Sequence, residues 1–260
     1  IDSTAVCCML LEQGYRVEGL TFVTCDAGLK AVENAAALAE RLGIPHHVAD
    51  IRKEFRSLVV EPFIESYLSG RTPNPCVNCN PLVKFRLLEE WADKLGCRNI
   101  ATGHYARIEY DEKSNRYLLK KAKDLSKDQS YVLYSLTKEQ LSRTYFPLGN
   151  MTKDEVRIIA EENSLVNAQK KESQDICFIP NGKYAEFIED AIGRNVEKGN
   201  FVDTSGNILG SHRGIIHYTP GQRKGLGITF GQPMYVKSKC AENNTVTLCQ
   251  EPELYTKQVF

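Results

Sequence analysis

The first hundred residues alternate between short apolar strands and amphipathic helices, and this alternation restricts the fold more than any other feature. In the clearest helix, 29–42, apolar residues recur at three- and four-residue steps before Gly43 and Pro45. Strands alternating with helices of this length predict β-α-β units, and therefore an α/β fold with a parallel sheet. The predicted segments are helices at 4–12, 29–42, 52–68 and 82–95 and strands at 17–23, 47–49 and 99–102.

The pattern changes after residue 103. The chain becomes Gly-rich from about residue 200, and Asn243-Asn244 there is a typical hairpin turn. One hairpin cannot bury its own face, so we expect the β-rich C-terminal domain to be cut short at Phe260. The predicted segments are hairpin strands at 105–110 and 116–121, helices at 129–143 and 152–162, and hairpin strands at 234–239 and 245–249.

Composition narrows the class of protein. With 33 basic and 33 acidic side chains the net charge is zero, so any nucleic-acid site must be a local patch. Nine cysteines at uneven spacing do not suit a disulfide scaffold, and they favour a reducing compartment with a few chemically active thiols. Apolar runs are too short for a membrane span. The start at Ile1, without a Met, gives no information about targeting.

Residues 71–81, RTPNPCVNCNP, are the most informative stretch. Each proline fixes φ and restricts the residue before it, so the loop should be stiff. Asn80 followed by Pro81 is typical of a helix N-cap and first helical position, which predicts a helix start there. Cys79 would then lie just outside a helix N-terminus, where the dipole favours a reactive thiolate.

Other roles compete for the C-x-x-C pair Cys76 and Cys79. A zinc knuckle needs four ligands, and the sequence offers no second C-x-x-C. A thioredoxin-like dithiol fits the motif but not the Asn-Pro steps around it. Buried structural cysteines do not suit a segment so rich in Asn and Pro. An activated thiol is the favoured interpretation.

Two further segments carry possible chemistry. Asp2-Ser3 at a helix start can hold phosphate, and residues 102–107 follow a strand, so both would lie at the ligand-binding edge of a parallel sheet. Taken alone, His104 suits a core position. Cys177 lies in an apolar run and alone also suits the core, although the polar residues 172–175 before it indicate the margin of a cleft.

The chain resembles the tRNA-specific 2-thiouridylase family, which is built on an ATP-pyrophosphatase (PP-loop, adenine nucleotide alpha hydrolase-like) domain. The resemblance runs from end to end and rests on long motifs in the same order. They are the truncated phosphate loop Ile1-Asp2-Ser3, TPNPCVNCN at 72–80, ATGHYARI at 101–108, KDQSYVL at 127–133, FPLGNMTKDEVRIIA at 146–160, KKESQDICFIP at 170–180 and YTPGQRKGLGI at 218–228.

The resemblance implies a domain order. It consists of a PP-loop catalytic domain at 1–180, a small central domain at 181–231, and the start of a truncated β-barrel-like C-terminal domain at 232–260. A further tRNA-contacting arm of the family would lie beyond Phe260.

The resemblance also implies residue roles. ATP would be bound by Asp2 and Ser3 at its phosphates, by Phe22 at the adenine, and by Gly103. Cys79 matches the nucleophile and Cys177 the persulfide-bearing cysteine. The target base would be held by Asn74, Pro75 and Cys76, and tRNA would be contacted by Lys127, Asp128 and Gln129.

The implied reaction is ATP-dependent 2-thiolation of the wobble uridine of tRNA by a sulfurtransferase. With the help of Mg²⁺, AMP would be transferred from ATP to the C2 oxygen, and a persulfide would supply the sulfur. The implied partners are the tRNA anticodon stem-loop and a persulfide donor protein, either a cysteine desulfurase or a sulfur relay carrier, with no membrane. The expected location is cytoplasmic, with a mitochondrial version as the alternative.

One position departs from the family pattern. Many members carry Asp where this chain has Cys76, and a thiol cannot simply replace that candidate general base. Cys76, Cys79 and Cys177 could instead hold an iron–sulfur cluster with one open iron. The remaining alternatives are a different PP-loop ATP-dependent synthetase and a non-enzymatic tRNA-binding or redox-carrier module.

Overall fold

The computed structural model describes residues 1–163, 176–179 and 182–255, which form two compact units. The first unit contains Ile1–Val59 and the described residues from Pro75 to 163. The second contains Val60–Asn74 and the described residues from 176 onward. The three-part division expected from the sequence stays a prediction.

Helices and strands are numbered here along the chain. The helices are α1 (Asp2–Glu12), α2 (Leu29–Leu42), α3 (Arg52–Phe55), α4 (Glu61–Leu68), α5 (Pro75–Cys79), α6 (Arg86–Leu95), α7 (Lys138–Arg143), α8 (Lys153–Glu162) and α9 (Tyr184–Ile192). The strands are β1 (Gly19–Val23), β2 (His46–Asp50), β3 (Ile100–Ala101), β4 (Ala106–Asp111), β5 (Arg116–Lys121), β6 (Thr144–Tyr145), β7 (Gly199–Val202), β8 (Ile208–His212), β9 (Tyr235–Cys240) and β10 (Thr245–Cys249).

Parallel strand pairs characterise the first unit. β1 pairs with β2 from Gly19 opposite His46 to Val23 opposite Asp50, with α2 as the crossover. β3 pairs with β6 in the same parallel sense, and β4 and β5 form an antiparallel hairpin. The predicted α/β class with parallel strands in the N-terminal part is confirmed.

The core of the first unit fixes helix α1. Its residues Ala5, Val6 and Leu10 are buried together with Leu148 and Val156. Burial of each large aliphatic side chain contributes about 1.5–3 kcal/mol, so this cluster holds the start of α1 in place. The functional residues at that helix start therefore stand on a rigid element.

Several local predictions are confirmed. The helix predicted at 29–42 has those bounds in α2, with Gly43 in the left-handed conformation at its C-cap. Both predicted hairpins form, as β4–β5 and as β9–β10. Asn244 in the second turn has φ 49°, a conformation that Asn tolerates better than most residues.

The predicted helix start at Asn80 is wrong. The helical segment begins at Pro75 as α5 and continues through a π-helical turn, Asn80–Phe85, into α6. Pro81 has no N–H to donate to the carbonyl of Val77, four residues earlier, so a regular α-helix is interrupted there. The Ser135 hydroxyl donates to that carbonyl at 3.3 Å, which satisfies it from outside the helix.

Two other predicted helices are divided. Residues 52–68 form α3, a π-helical turn at Arg56–Val60, and α4. The helix predicted at 129–143 is wrong over its first half, where only a 3-10 turn forms at Ser130–Val132. Thr137 has an extended backbone and caps α7 by accepting from the N–H of Gln140, so the helix starts afresh there.

The second unit contains a four-stranded sheet in the order β8-β7-β10-β9. β7 and β10 are parallel, and the other pairs are antiparallel. This sheet joins strands from both sides of residue 231. Among the described helices, none combines the length and the apolar character needed to cross a membrane.

Candidate functional site

A cavity of about 940 Å³ in the first unit collects the residues that the sequence analysis assigned to ATP. Asp2 and Ser3 line it from the start of α1, Phe22 from β1, and Gly103 from the loop after β3. The structure therefore brings all four residues to one cavity, although they are separated by up to a hundred positions in the chain. Their roles in binding ATP stay a prediction.

Gly103 lies against the backbone at the start of α1. A Cβ built on Gly103 would be 2.8 Å from the Cβ of Asp2, 2.9 Å from its carbonyl carbon and 2.9 Å from the amide nitrogen of Ser3. Only a residue without a side chain allows this approach. The strand end and the helix start thus form one backbone cradle, and this geometry suits a phosphate or nucleotide group.

The Asp2 carboxylate is held by two side chains that the sequence analysis missed. Lys153 Nζ donates to its two oxygens at 2.7 and 2.9 Å, and the Tyr105 hydroxyl donates at 3.0 Å. The Lys153 side chain is buried, with 8% of its surface exposed. A buried ion pair with an extra hydrogen bond fixes the rotamer of Asp2 at the α1 N-terminus.

Further positive charge borders the same cavity. Lys84, which the sequence analysis also missed, lines it from the π-helical turn. The N-terminus of α1, an eleven-residue helix, adds a partial positive charge. Lys84 and this helix terminus would meet the negative charge of a polyphosphate, so the described residues fit ATP.

His104 is a buried neighbour of this cradle. Its Nδ1 lies 2.8 Å from the Thr102 hydroxyl, and its ring packs against Phe85 and Phe146 at centroid distances of 5.9 and 5.8 Å. Burial, and secondarily the charge of Lys84, lowers the pKa of His104 well below its usual 6.5. His104 is therefore neutral at physiological pH, as a core histidine that also lines the cavity.

This lowered pKa predicts acid sensitivity. Below pH 6.5 the unfolded chain binds a proton at residue 104 that the folded chain excludes, so stability should fall as pH decreases from 6.5. We expect His104→Asn to reduce that fall by about 1 kcal/mol per pH unit, measured by urea unfolding between pH 8 and 5. Above pH 7.5 residue 104 should contribute nothing to the pH dependence of either protein. Parallel stability profiles would contradict the assignment.

Gly103→Ala tests the backbone cradle. The new methyl group would meet backbone atoms of Asp2 and Ser3, which cannot move aside as a flexible side-chain end would. Overpacking of this kind costs about 1–3 kcal/mol, so ATP affinity should fall about 10- to 100-fold in equilibrium binding with an ATP analogue. Gly28→Ala is the matched control, because its Cβ would meet nothing within 4 Å. Equal losses in both variants would contradict the cradle.

The C-x-x-C residues lie within a helix instead of before one. Cys76 is exposed and Cys79 is half-buried, and both belong to α5. Cys79 is a full turn beyond Pro75, and the dipole effect declines within the first turn, so the predicted dipole activation of Cys79 is wrong. Pro75, which like Cys76 is predicted to hold the target base, is buried at the start of α5.

The segment predicted to contact tRNA forms a tightly bonded turn. Asp128 accepts from the Ala122 N–H at 2.8 Å and from the Ser130 hydroxyl at 2.7 Å. Gln129 exchanges two hydrogen bonds with the Tyr105 backbone, its side-chain oxygen accepting at 2.9 Å and its N–H donating at 2.8 Å. Lys127 is half-buried in the same turn. The contact of Lys127, Asp128 and Gln129 with tRNA stays a prediction.

The persulfide candidate belongs to the second unit. Cys177 is exposed, whereas its neighbour Phe178 is buried against Phe63 and Phe187 at 5.4 and 5.6 Å. The core position that Cys177 would suit if taken alone is not the one it has, because the buried aromatic neighbour anchors the turn and leaves the thiol at the surface. Residues 172–175, the polar run before it, lie outside the described residues.

The predicted base-binding residue Asn74 ends a segment that the second unit holds through Lys239. The Lys239 ammonium donates to the carbonyls of Arg71 and Tyr218 at 3.3 and 2.8 Å and to the Thr72 hydroxyl at 3.2 Å. It also lies 5.5 Å from the ring centre of Tyr67. Burial lowers the pKa of Lys239 to about 8. A lysine absent from every sequence motif thus anchors the segment before Asn74.

A metal centre receives no support from these groups. Within the described ranges, no cluster of three or more His, Cys, Asp or Glu side chains is arranged to hold a metal ion. The iron–sulfur cluster suggested for Cys76, Cys79 and Cys177 stays a prediction.

Comparison with known proteins agrees with the fold. The family model described as the tRNA methyl transferase HUP domain matches residues 1–181, and the tRNA methyl transferase PRC-barrel domain matches residues 185–250. A nucleotide-binding type of α/β domain followed by a barrel domain is thus the class to which the chain belongs.

Proteins of similar sequence identify the family within this class. Proteins named tRNA-specific 2-thiouridylase MnmA are 47% identical in Acetivibrio thermocellus and 45% identical in Clostridioides difficile and in Treponema denticola. Each alignment covers 100% of this chain and 76%, 75% and 74% of the respective relative. The chain belongs to the tRNA-specific 2-thiouridylase family.

Proposed function

We propose that this chain is a tRNA-uridine 2-sulfurtransferase that uses ATP to replace the C2 oxygen of the wobble uridine by sulfur. One observation carries the proposal: the four residues assigned to ATP line one cavity, where Gly103 and Asp2 are in backbone contact. Family membership supplies the tRNA substrate, since the relatives are named for that activity.

The first step gives the uridine oxygen a leaving group. The C2 oxygen attacks the α-phosphorus of ATP, an O–P bond forms, and pyrophosphate departs. Lys84 and the N-terminal amides of α1 would stabilise the phosphate charge, Lys153 would hold Asp2 in place, and Gly103 would let the nucleotide reach the backbone. A bound Mg²⁺ would supply additional charge neutralisation on the phosphates.

The second step transfers sulfur. The terminal sulfur of a Cys177 persulfide attacks C2, AMP leaves, and a disulfide links the base to Cys177. Cys79 then attacks the Cys177 sulfur, which releases 2-thiouridine and leaves a Cys79–Cys177 disulfide. A thiol reductant restores both cysteines with two electrons. Cys177 is exposed, which suits loading by an external persulfide protein.

The target uridine would leave its anticodon stack, at a cost of a few kcal/mol, before it reaches Cys79. Asn74, Pro75 and Cys76 would hold this base, and Lys127, Asp128 and Gln129 would contact the tRNA around it. The persulfide donor would be a cysteine desulfurase or a sulfur relay carrier. A cytoplasmic location would suit this substrate, with a mitochondrial one as the alternative.

The iron–sulfur alternative, in which Cys76 would be a ligand, can be tested directly. No step is derived through a cluster, because the described residues form no metal-binding group. A colourless, iron-free enzyme with full activity after anaerobic purification would eliminate the cluster. Activity that requires reconstitution with iron and sulfide would instead overturn the persulfide route.

The proposed function is tested by ATP–pyrophosphate exchange with and without tRNA. We expect exchange only when the tRNA is present, because the adenylated group is its uridine. A PP-loop synthetase for a small carboxylate would exchange without tRNA, and a tRNA-binding or redox-carrier module would not exchange at all. Either result would refute the proposal.

A further inference from the structure

Two exposed tyrosines lie on the turn that packs against α5. Tyr131 and Tyr134 are 63% and 69% exposed, while the residues between them, Val132 and Leu133, are buried. Two exposed rings three residues apart offer an aromatic surface to a ligand. Neither ring has a role in the proposed function above.

The backbone of this turn is ordered by hydrogen bonds. The N–H groups of Val132, Leu133 and Leu136 each donate to the carbonyl three residues earlier, at 3.0–3.1 Å. The 3-10 turn Ser130–Val132 contains Tyr131, and Tyr134 follows two residues after its end. Asp128 and Gln129 also commit their side chains to internal hydrogen bonds, so both tyrosines lie on a well-held segment.

The same turn is joined to the helix that carries Cys79. Asn80 Nδ2 donates to the Val132 carbonyl at 3.0 Å, and the Ser135 hydroxyl donates to the Val77 carbonyl at 3.3 Å. The 3-10 turn thus packs directly on α5. Groups bound by the tyrosines would therefore lie beside the region that receives the target base.

Lysines accompany the two rings along the chain. Residues 120–134 contain four lysines and two aspartates. Lys120 pairs with Glu109 and Lys123 with Glu155, so part of this positive charge is already compensated. Flat aromatic rings next to lysines are the typical surface for unpaired nucleotides, whose bases stack while the phosphates meet the positive charge.

We propose that Tyr131 and Tyr134 form a stacking platform for the unpaired anticodon-loop bases that neighbour the target uridine. This inference rests on the proposed function, since it assigns a subsite for the same RNA. Stacking of the neighbours would hold the loop open while the uridine itself is turned toward Cys79.

The test uses an anticodon stem-loop RNA with fluorescent 2-aminopurine next to the target uridine. Wild-type protein should quench this base on binding. Tyr131→Ala and Tyr134→Ala should lose the quenching and weaken RNA binding, measured by anisotropy, about 5- to 100-fold each. Tyr131→Phe and Tyr134→Phe keep the ring and should behave as wild type. Thermal unfolding and ATP binding should not change.

Three results would overturn the platform. The first is alanine variants that bind and quench as the wild type does. The second is unchanged RNA binding combined with slower turnover from a persulfide donor protein but not from inorganic sulfide, which would mark a protein-docking surface. The third is a wild-type protein that binds the RNA without quenching. If the wild-type protein binds no RNA at all, the proposed function falls as well.

Discussion

Replacing Cys79 by serine should reduce uridine thiolation at least about a thousandfold and should trap the tRNA on the enzyme. A serine hydroxyl is too weakly acidic and too weakly nucleophilic to break a disulfide, so the base would stay linked to Cys177 through sulfur. The adduct should appear as a protein–tRNA band that disappears on treatment with excess thiol. ATP–pyrophosphate exchange should persist, because Cys79 acts after adenylation.

Cys25→Ser is the matched control for this variant. Cys25 is half-buried in the same unit, as Cys79 is, but it lies outside the motif at 72–80 that carries the proposed nucleophile. The control should thiolate tRNA normally. Near-normal turnover of Cys79→Ser would show that another group releases the sulfur.

Replacing Cys177 by serine should abolish thiolation to a similar extent but without any trapped tRNA. The variant cannot carry a persulfide, so no sulfur reaches C2 and no covalent link forms. Alkylation after incubation with a persulfide donor, followed by mass spectrometry, should detect the extra sulfur on Cys177 in the wild type and in Cys79→Ser. It should be absent from Cys177→Ser.

Cys240→Ser controls for general effects of losing a thiol in the second unit, where Cys240 is half-buried and donates to Glu242. It should load sulfur normally. Persulfide on a cysteine other than Cys177, with thiolation retained, would refute the assignment.

Local sequence patterns predict much of the fold because they reflect interactions between residues that are close in the chain. The apolar spacing of α2 and the Asn pair between β9 and β10 each depend on a few adjacent residues. The start of α5 was missed for the opposite reason. Asn80-Pro81 is typical of a helix start. However, the Val77 carbonyl, to which Pro81 cannot donate, accepts from the hydroxyl of Ser135, 58 residues away.

Some residues of the candidate site are likewise predictable from the sequence, and others are not. Asp2, Ser3, Phe22 and Gly103 were found through a family resemblance, and the cavity unites them. Lys153, however, lies 151 residues from the Asp2 carboxylate that it binds, and no spacing rule connects them. Buried ion pairs between distant segments depend on tertiary packing, which a single sequence does not report.

The central claim is that the uridine oxygen is adenylated before it is replaced. The most direct measurement places heavy oxygen at C2 of the target uridine, supplies ATP and a sulfur source, and analyses the AMP by mass spectrometry. The account predicts that the heavy oxygen appears in the AMP phosphate, in proportion to the thiouridine formed. Thiouridine accompanied by unlabelled AMP would contradict it.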